Sequence, residues 1–261
     1  MTAPTPLLDL FKRGDVPRDV RLQAAQGALA PRALEQVGIL VLLLADPDPE
    51  VRDTANQTLN RIPVAELAAF LARSDVPIGV REFFADRGIL PAETPAPEAD
   101  QPLVDTEAEV KEEAPAGANE DERRVSVTMQ LNKMGFTDRL RAASKGSREM
   151  RAILIRDPNK MISATVLSSP KLTEQEVATF SRMTNVGEEI LRIIGSNRAW
   201  TKNYGVVLGL TKNPKTPLAM SMNMMNRLND RDLTQLSNDR NVPEPLRVAA
   251  RKKVVAATSK K

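Results

Sequence analysis

Cysteine and histidine are both absent from the 261 residues. Without cysteine there is no disulfide, no thiolate metal site and no cysteine nucleophile. Without histidine the commonest general base, the commonest metal ligand and the triads built on imidazole are gone. Aromatic residues are scarce, 3% of the chain, with one Trp and one Tyr. That argues against β-sandwiches and barrels and against ring-lined cofactor pockets. The longest apolar run, residues 37–45, is about half of the roughly 20 residues that a membrane-spanning helix needs. No basic stretch and cleavage-like site mark the start as a leader. There is no glycine-rich phosphate loop and no dinucleotide fingerprint. What is present is Ala, Leu, Val and Met, with hydrophobic residues at 41% and charged residues at 27%. The composition predicts an all-α chain in the cytoplasm, not inserted in a membrane, without cofactor, metal or catalytic residues.

Charge is distributed in zones. Residues 1–90 hold 10 Lys and Arg against 12 Asp and Glu, a net −2. Residues 91–124 hold 3 against 11, a net −8, and residues 125–261 hold 24 against 11, a net +13. The overall charge of +3 hides an acidic middle and a basic end. The middle is rich in Pro, Ala and Glu and lacks aromatics, so it cannot bury enough apolar area to offset chain entropy. This predicts a helical domain at 1–90, a disordered acidic linker at 91–124 and a basic helical-repeat domain at 125–261. The linker is read either as a solvated tether or as a segment that folds back over the basic domain and competes with an anionic ligand.

A repeat is legible in the letters. Residues 145–205 align without a gap on residues fifty-six further along. Pro158 meets Pro214, Leu172 meets Leu228 and Ser181 meets Ser237, while Arg156 meets Lys212 and Lys171 meets Arg227. A gapless offset with matched chemistry signals a structural repeat. Helix punctuation agrees. Thr173 with Glu176 reads as a capping box, and Asn229 with Asp232 fills the same roles in the second copy. Thr216-Pro217 reads as an N-cap followed by proline at N1, and Asn185 and Asn241 read as N-caps with an acid three residues on. Each unit then holds four short helices. A related phrase, Asx, proline, then an apolar residue and arginine, recurs in Val16-Pro17 to Arg21, Pro49 to Arg52, Val76-Pro77 to Arg81 and Val242-Pro243 to Arg247.

The stretch DPDPEVRDTANQTL resembles the second helix of a HEAT repeat. NPKTPLAMSMNMMNRL and RNVPEPLRVAARKKV resemble leucine-rich-repeat-variant and HEAT-like α-solenoids, and REMRAILIRDPNK through RAWTKNY looks like a poorly characterised bacterial group of helical-repeat proteins. The resemblance covers 125–255 well and 1–90 loosely. It implies an all-α fold of two α-solenoid-like parts with a binding surface and no catalytic residues. The iron–sulfur cysteine cluster that some leucine-rich-repeat-variant proteins carry has no counterpart here.

Candidate contact residues follow from that surface. A solenoid aligns equivalent positions, so Arg156 and Lys212 form one basic rung and Lys171 and Arg227 another, with Arg148, Arg151, Lys160, Lys202 and Lys215 around them. Such rungs suit a phosphate backbone or an acidic protein tail; the alternative is a solvated face whose bases cap helix ends. Trp200, Lys202 and Tyr204 group the two rarest rings with a cation, either as a stacking site or as a packed junction. Met220 and Met224 share a second face of a Met-rich helix, for a neighbouring helix or for an adaptable partner groove. The kinase-like Arg123-Arg124-Val125-Ser126 and the sequon Asn56-Gln57-Thr58 carry little weight. The expected function is a non-enzymatic protein-interaction scaffold with a partner that is protein and acidic. The alternative is sequence-independent nucleic-acid binding by the basic part.

Overall fold

A computed structural model describes residues 5–14, 16–30, 32–95, 102–104 and 120–258. Sixteen α-helices and one short 3-10 turn are found among them, and no strand. Of the acidic tract, 96–101 and 105–119 lie outside the described residues, and with them most of the linker expectation. The helices form two compact units, Met1–Lys171 and Leu172–Lys261. That division does not coincide with the acidic tract.

The first unit holds α1 (Pro6–Arg13), α2 (Arg18–Ala25), α3 (Ala33–Leu43), α4 (Pro49–Arg61), α5 (Val64–Leu71), α6 (Ile78–Ala85), α7 (Glu120–Lys133), α8 (Phe136–Lys145), α9 (Arg148–Leu154) and α10 (Lys160–Val166). Its centre is α3, which packs against α1, α2 and α4. This helix is apolar almost all round, as a fully surrounded helix should be, and buries Val37, Ile39, Leu40 and Leu43. Helix α1 also packs on α10, which in turn packs on α8 and α9. Residues on both sides of the acidic tract therefore share one core.

The second unit holds α11 (Glu174–Arg182), α12 (Glu188–Ser196), the 3-10 turn Trp200–Lys202, α13 (Tyr204–Lys212), α14 (Leu218–Met225), α15 (Asp230–Asn238) and α16 (Glu244–Thr258). Helix α13 packs on α11 and α14, and α16 packs on α14 and α15. The approach of α13 to α11 is close. A Cβ on Gly209 would fall 2.1 Å from Ser181 Oγ, so only glycine fits there.

Helix starts follow local chemistry. Thr173 caps α11 and closes the capping box with Glu176, and Asn229 caps α15 by accepting from the Asp232 amide. Both match the expected register. Other expected caps are displaced. Helices α12 and α16 begin at Glu188 and Glu244, so neither Asn185 nor Asn241 is an N-cap. Between each Asn and its helix stands a valine, Val186 or Val242, that is buried in the core. Fully burying such a side chain contributes about 1.5–3 kcal/mol, and doing so holds the chain out of the helix until Gly187 or Pro243. At Thr216 the proline itself takes the N-cap position, and α14 starts at Leu218.

The Val-Pro phrase has the same logic in the first unit. Val16 and Val76 are buried, Pro17 and Pro77 occupy the N-cap positions, and helices start at the next residue. Proline suits that place because its fixed φ leads into the helix and no amide is wasted. The arginine of the phrase turns back on the turn: Arg21 Nη1 donates to Val16 O at 2.7 Å, and Arg52 Nη1 to Asp46 O at 2.6 Å.

Candidate functional site

The thirteen sequence-nominated residues divide between the units. In the first, Arg148, Arg156, Lys160 and Lys171 are exposed. Arg156 Nε donates to Ala152 O at 3.1 Å, so this base also closes the C-terminal turn of α9, where the helix dipole favours a cation. Arg151 is buried, which removes it from any contact surface. Its Nη1 donates to Gly146 O at 3.0 Å and its Nη2 to Lys171 O at 3.2 Å. The guanidinium satisfies a buried carbonyl of the α8–α9 turn and a part-buried one in the chain after α10.

In the second unit Lys202 and Lys215 are exposed, and Lys212 is half-buried with its Nζ donating to Gln235 Oε1 at 3.0 Å. Arg227 donates to Thr201 O and so ties the end of α14 to the 3-10 turn. Trp200 is half-buried. Tyr204 donates its hydroxyl to Asp232 and accepts from the Asn229 amide at 3.3 Å. Tyr204 is exposed, and partial loss of water first and the Asp232 carboxylate second hold its phenol above the usual pKa. The only Tyr thus serves the α13–α15 junction, with a carboxylate beside it that repels phosphate. Met224 is buried and Met220 half-buried. Both lie over Gly195 of α12, where a Cβ would fall 2.2 Å from Met220 Sδ and 3.2 Å from Met224 Cε. These methionines meet a neighbouring helix.

Four of these bases, Arg156, Lys160, Lys212 and Lys215, flank two turns of the same construction. Between α9 and α10, Asp157 Oδ1 accepts from the Asn159 amide at 2.8 Å, and Arg156 and Lys160 flank the turn. Between α13 and α14, Asn213 Oδ1 accepts from the Lys215 amide at 3.0 Å, and Lys212 and Lys215 flank it. The Asx residue also anchors each turn. Asp157 receives Arg139 at 2.9 Å, and Asn213 Nδ2 donates to Ser181 O and Met183 O, both at 2.9 Å. Two rigid turns therefore present cations at their rims. Such turns can hold carboxylates or phosphates electrostatically.

No protein-family model, curated protein or solved structure matches the chain.

Two buried polar residues of α3 escaped the sequence reading. Glu35 is fully buried. Its Oε1 accepts from the Leu7 amide at 3.1 Å and from Ser168 Oγ at 3.0 Å. Thr5, the N-cap of α1, makes no side-chain cap bond, so Glu35 caps α1 from another helix. Burial pushes its pKa up to about 7, against the lowering effect of Ser168, Arg32 and the Leu7 and Leu8 amides. Arg32 lies close by, donating to Ser169 O at 3.1 Å. Gln36 is also buried. Its amide donates to Gly27 O at 3.0 Å and Val104 O at 2.9 Å, and accepts from the Val104 amide at 2.9 Å. The signal was a Glu-Gln pair set against the apolar run of α3.

Proposed function

We propose that the chain is a non-enzymatic, α-solenoid-like interaction scaffold of the cytoplasm that binds an acidic protein segment on its basic helical turns. The observation that carries this reading is the pair of matched Asx turns at Asp157 and Asn213, fifty-six residues apart, each rimmed with cations. Helix starts at Arg148, Glu174 and Glu188 recur at Tyr204, Asp230 and Glu244 with the same spacing, which supports a repeat. Each unit thus carries a cationic turn of its own, and each turn attracts a carboxylate of an acidic ligand.

The test is binding of an acidic peptide and of duplex DNA by the full chain across a salt series. A scaffold for acidic protein binds the peptide, and Lys160→Glu with Lys215→Glu weakens binding about tenfold or more. Both lysines are exposed at their turns, and circular dichroism of the variant checks that its helical content is kept. A DNA complex whose affinity falls about a thousandfold between 50 and 200 mM salt, with no peptide binding, would replace this reading with nucleic-acid binding.

A further inference from the structure

Within the acidic tract, Leu103 and Val104 form the only pair of adjacent large aliphatic residues. Pro102, Leu103 and Val104 are half-buried on the first unit, sixty-eight residues from the side chain that holds them. That side chain is Gln36, and it takes both backbone groups of Val104: the amide on Oε1 and the carbonyl on Nε2, each at 2.9 Å. A primary amide carries a donor and an acceptor side by side, like one residue of a β-strand. Gln36 therefore acts as a single rung of a ladder. Its orientation is set by the second Nε2 hydrogen, which goes to Gly27 O at 3.0 Å.

The other wall is Gly27. Its φ is +82°, and a Cβ there would fall 3.2 Å from both Val104 Cβ and Cγ1. Positive φ and close approach both call for glycine. If the seat were vacated, a buried amide would lose two of its three bonds, which is costly. The seat is thus shaped for a backbone with an aliphatic side chain, and the two residues that form it, Gly27 and Gln36, are uncharged.

We propose that Gly27 and Gln36 form a peptide clip for a short extended Pro-Leu-Val segment, occupied in cis by residues 102–104 of this chain. The clip fastens residues 102–104 of the acidic tract to the first unit. A separate peptide of the same kind competes for it against a high local concentration of the tethered segment. This goes beyond the scaffold reading, since the basic turns play no part in it.

The test uses the full chain carrying Val104→Pro, which removes the amide that Gln36 Oε1 accepts and empties the seat. The probe is a labelled synthetic peptide of residues 99–107, titrated into wild-type and variant and followed through the Gln36 side-chain amide resonances. The expected result is binding to the variant at least about tenfold tighter than to wild-type. N-methylation of the peptide's valine should abolish it, and that control alters no residue of the protein. Equal binding to wild-type and variant, equal binding of the N-methyl peptide, or no binding to the emptied seat would each overturn the clip.

Discussion

At the scale of single residues, two side chains have opposite histories. Arg151 belongs by charge to a binding surface, but it is buried and bonds a buried and a part-buried carbonyl. Arg151→Met should cost about 2–4 kcal/mol by leaving those carbonyls unpaired, measured by denaturant unfolding, while leaving acidic-peptide affinity unchanged. A loss of affinity with no loss of stability would return Arg151 to the surface. Glu35 makes the sharper prediction. Its pKa is raised from 4.5 to about 7, so between these values the folded protein holds a proton that the unfolded chain has released. Stability therefore falls as pH rises from about 4.5 to about 7 and levels off above, by about 3 kcal/mol in all. Glu35→Gln keeps an acceptor for Leu7 and Ser168 and should flatten this slope. An unchanged slope in the variant would assign the pH dependence to other groups.

At the scale of elements, what was legible was what is local. A cap and its partner lie three residues apart, so the starts of α11 and α15 could be read from Thr173 and Asn229 without any knowledge of packing. Thr173→Ala and Asn229→Ala should each destabilise by about 0.5–2 kcal/mol, and Thr173→Ala by the larger amount. Glu176 is buried, and its Oε2 accepts from the Thr173 amide and hydroxyl at 3.0 and 2.9 Å. Removing the hydroxyl strips a donor from a buried carboxylate, whereas the Asp232 side chain keeps Tyr204. Equal costs in denaturant unfolding would refute that distinction. The misplaced caps at Asn185 and Asn241 failed because a tertiary demand, the burial of Val186 and Val242, overrode the local signal. The contacts of Glu35 with Ser168 and of Gln36 with Val104 were beyond reach for the same reason. Their partners stand 133 and 68 residues away, and neither neighbourhood names the other. Of the contact residues, exposure could be read from charge for most bases, but not for Arg151.

At the scale of the whole molecule, the question is what a break in the acidic tract does. Lys111, within that tract, is a trypsin cleavage site in the sequence. A reading of composition alone would have the two halves drift apart once cut. The first unit argues otherwise. Its core is assembled from both sides of the tract: α1 lies on α10, Ser168 bonds Glu35, and Arg32 bonds Ser169 O. The Val104 clip stays with Gln36 on the N-terminal fragment, so the cut leaves it closed. Brief trypsin treatment should then give two bands on a denaturing gel and a single species near 28.6 kDa by size exclusion under native conditions. The association joins packed helices rather than exposed charges, and should survive high salt. It should also weaken as pH rises toward and past 7, because ionising the buried Glu35 penalises the joint, and Glu35→Gln should remove that weakening. Fragments that separate in native buffer at pH 6 would mean that the two sides of the tract are independent, and that the core drawn around α3 does not hold them together.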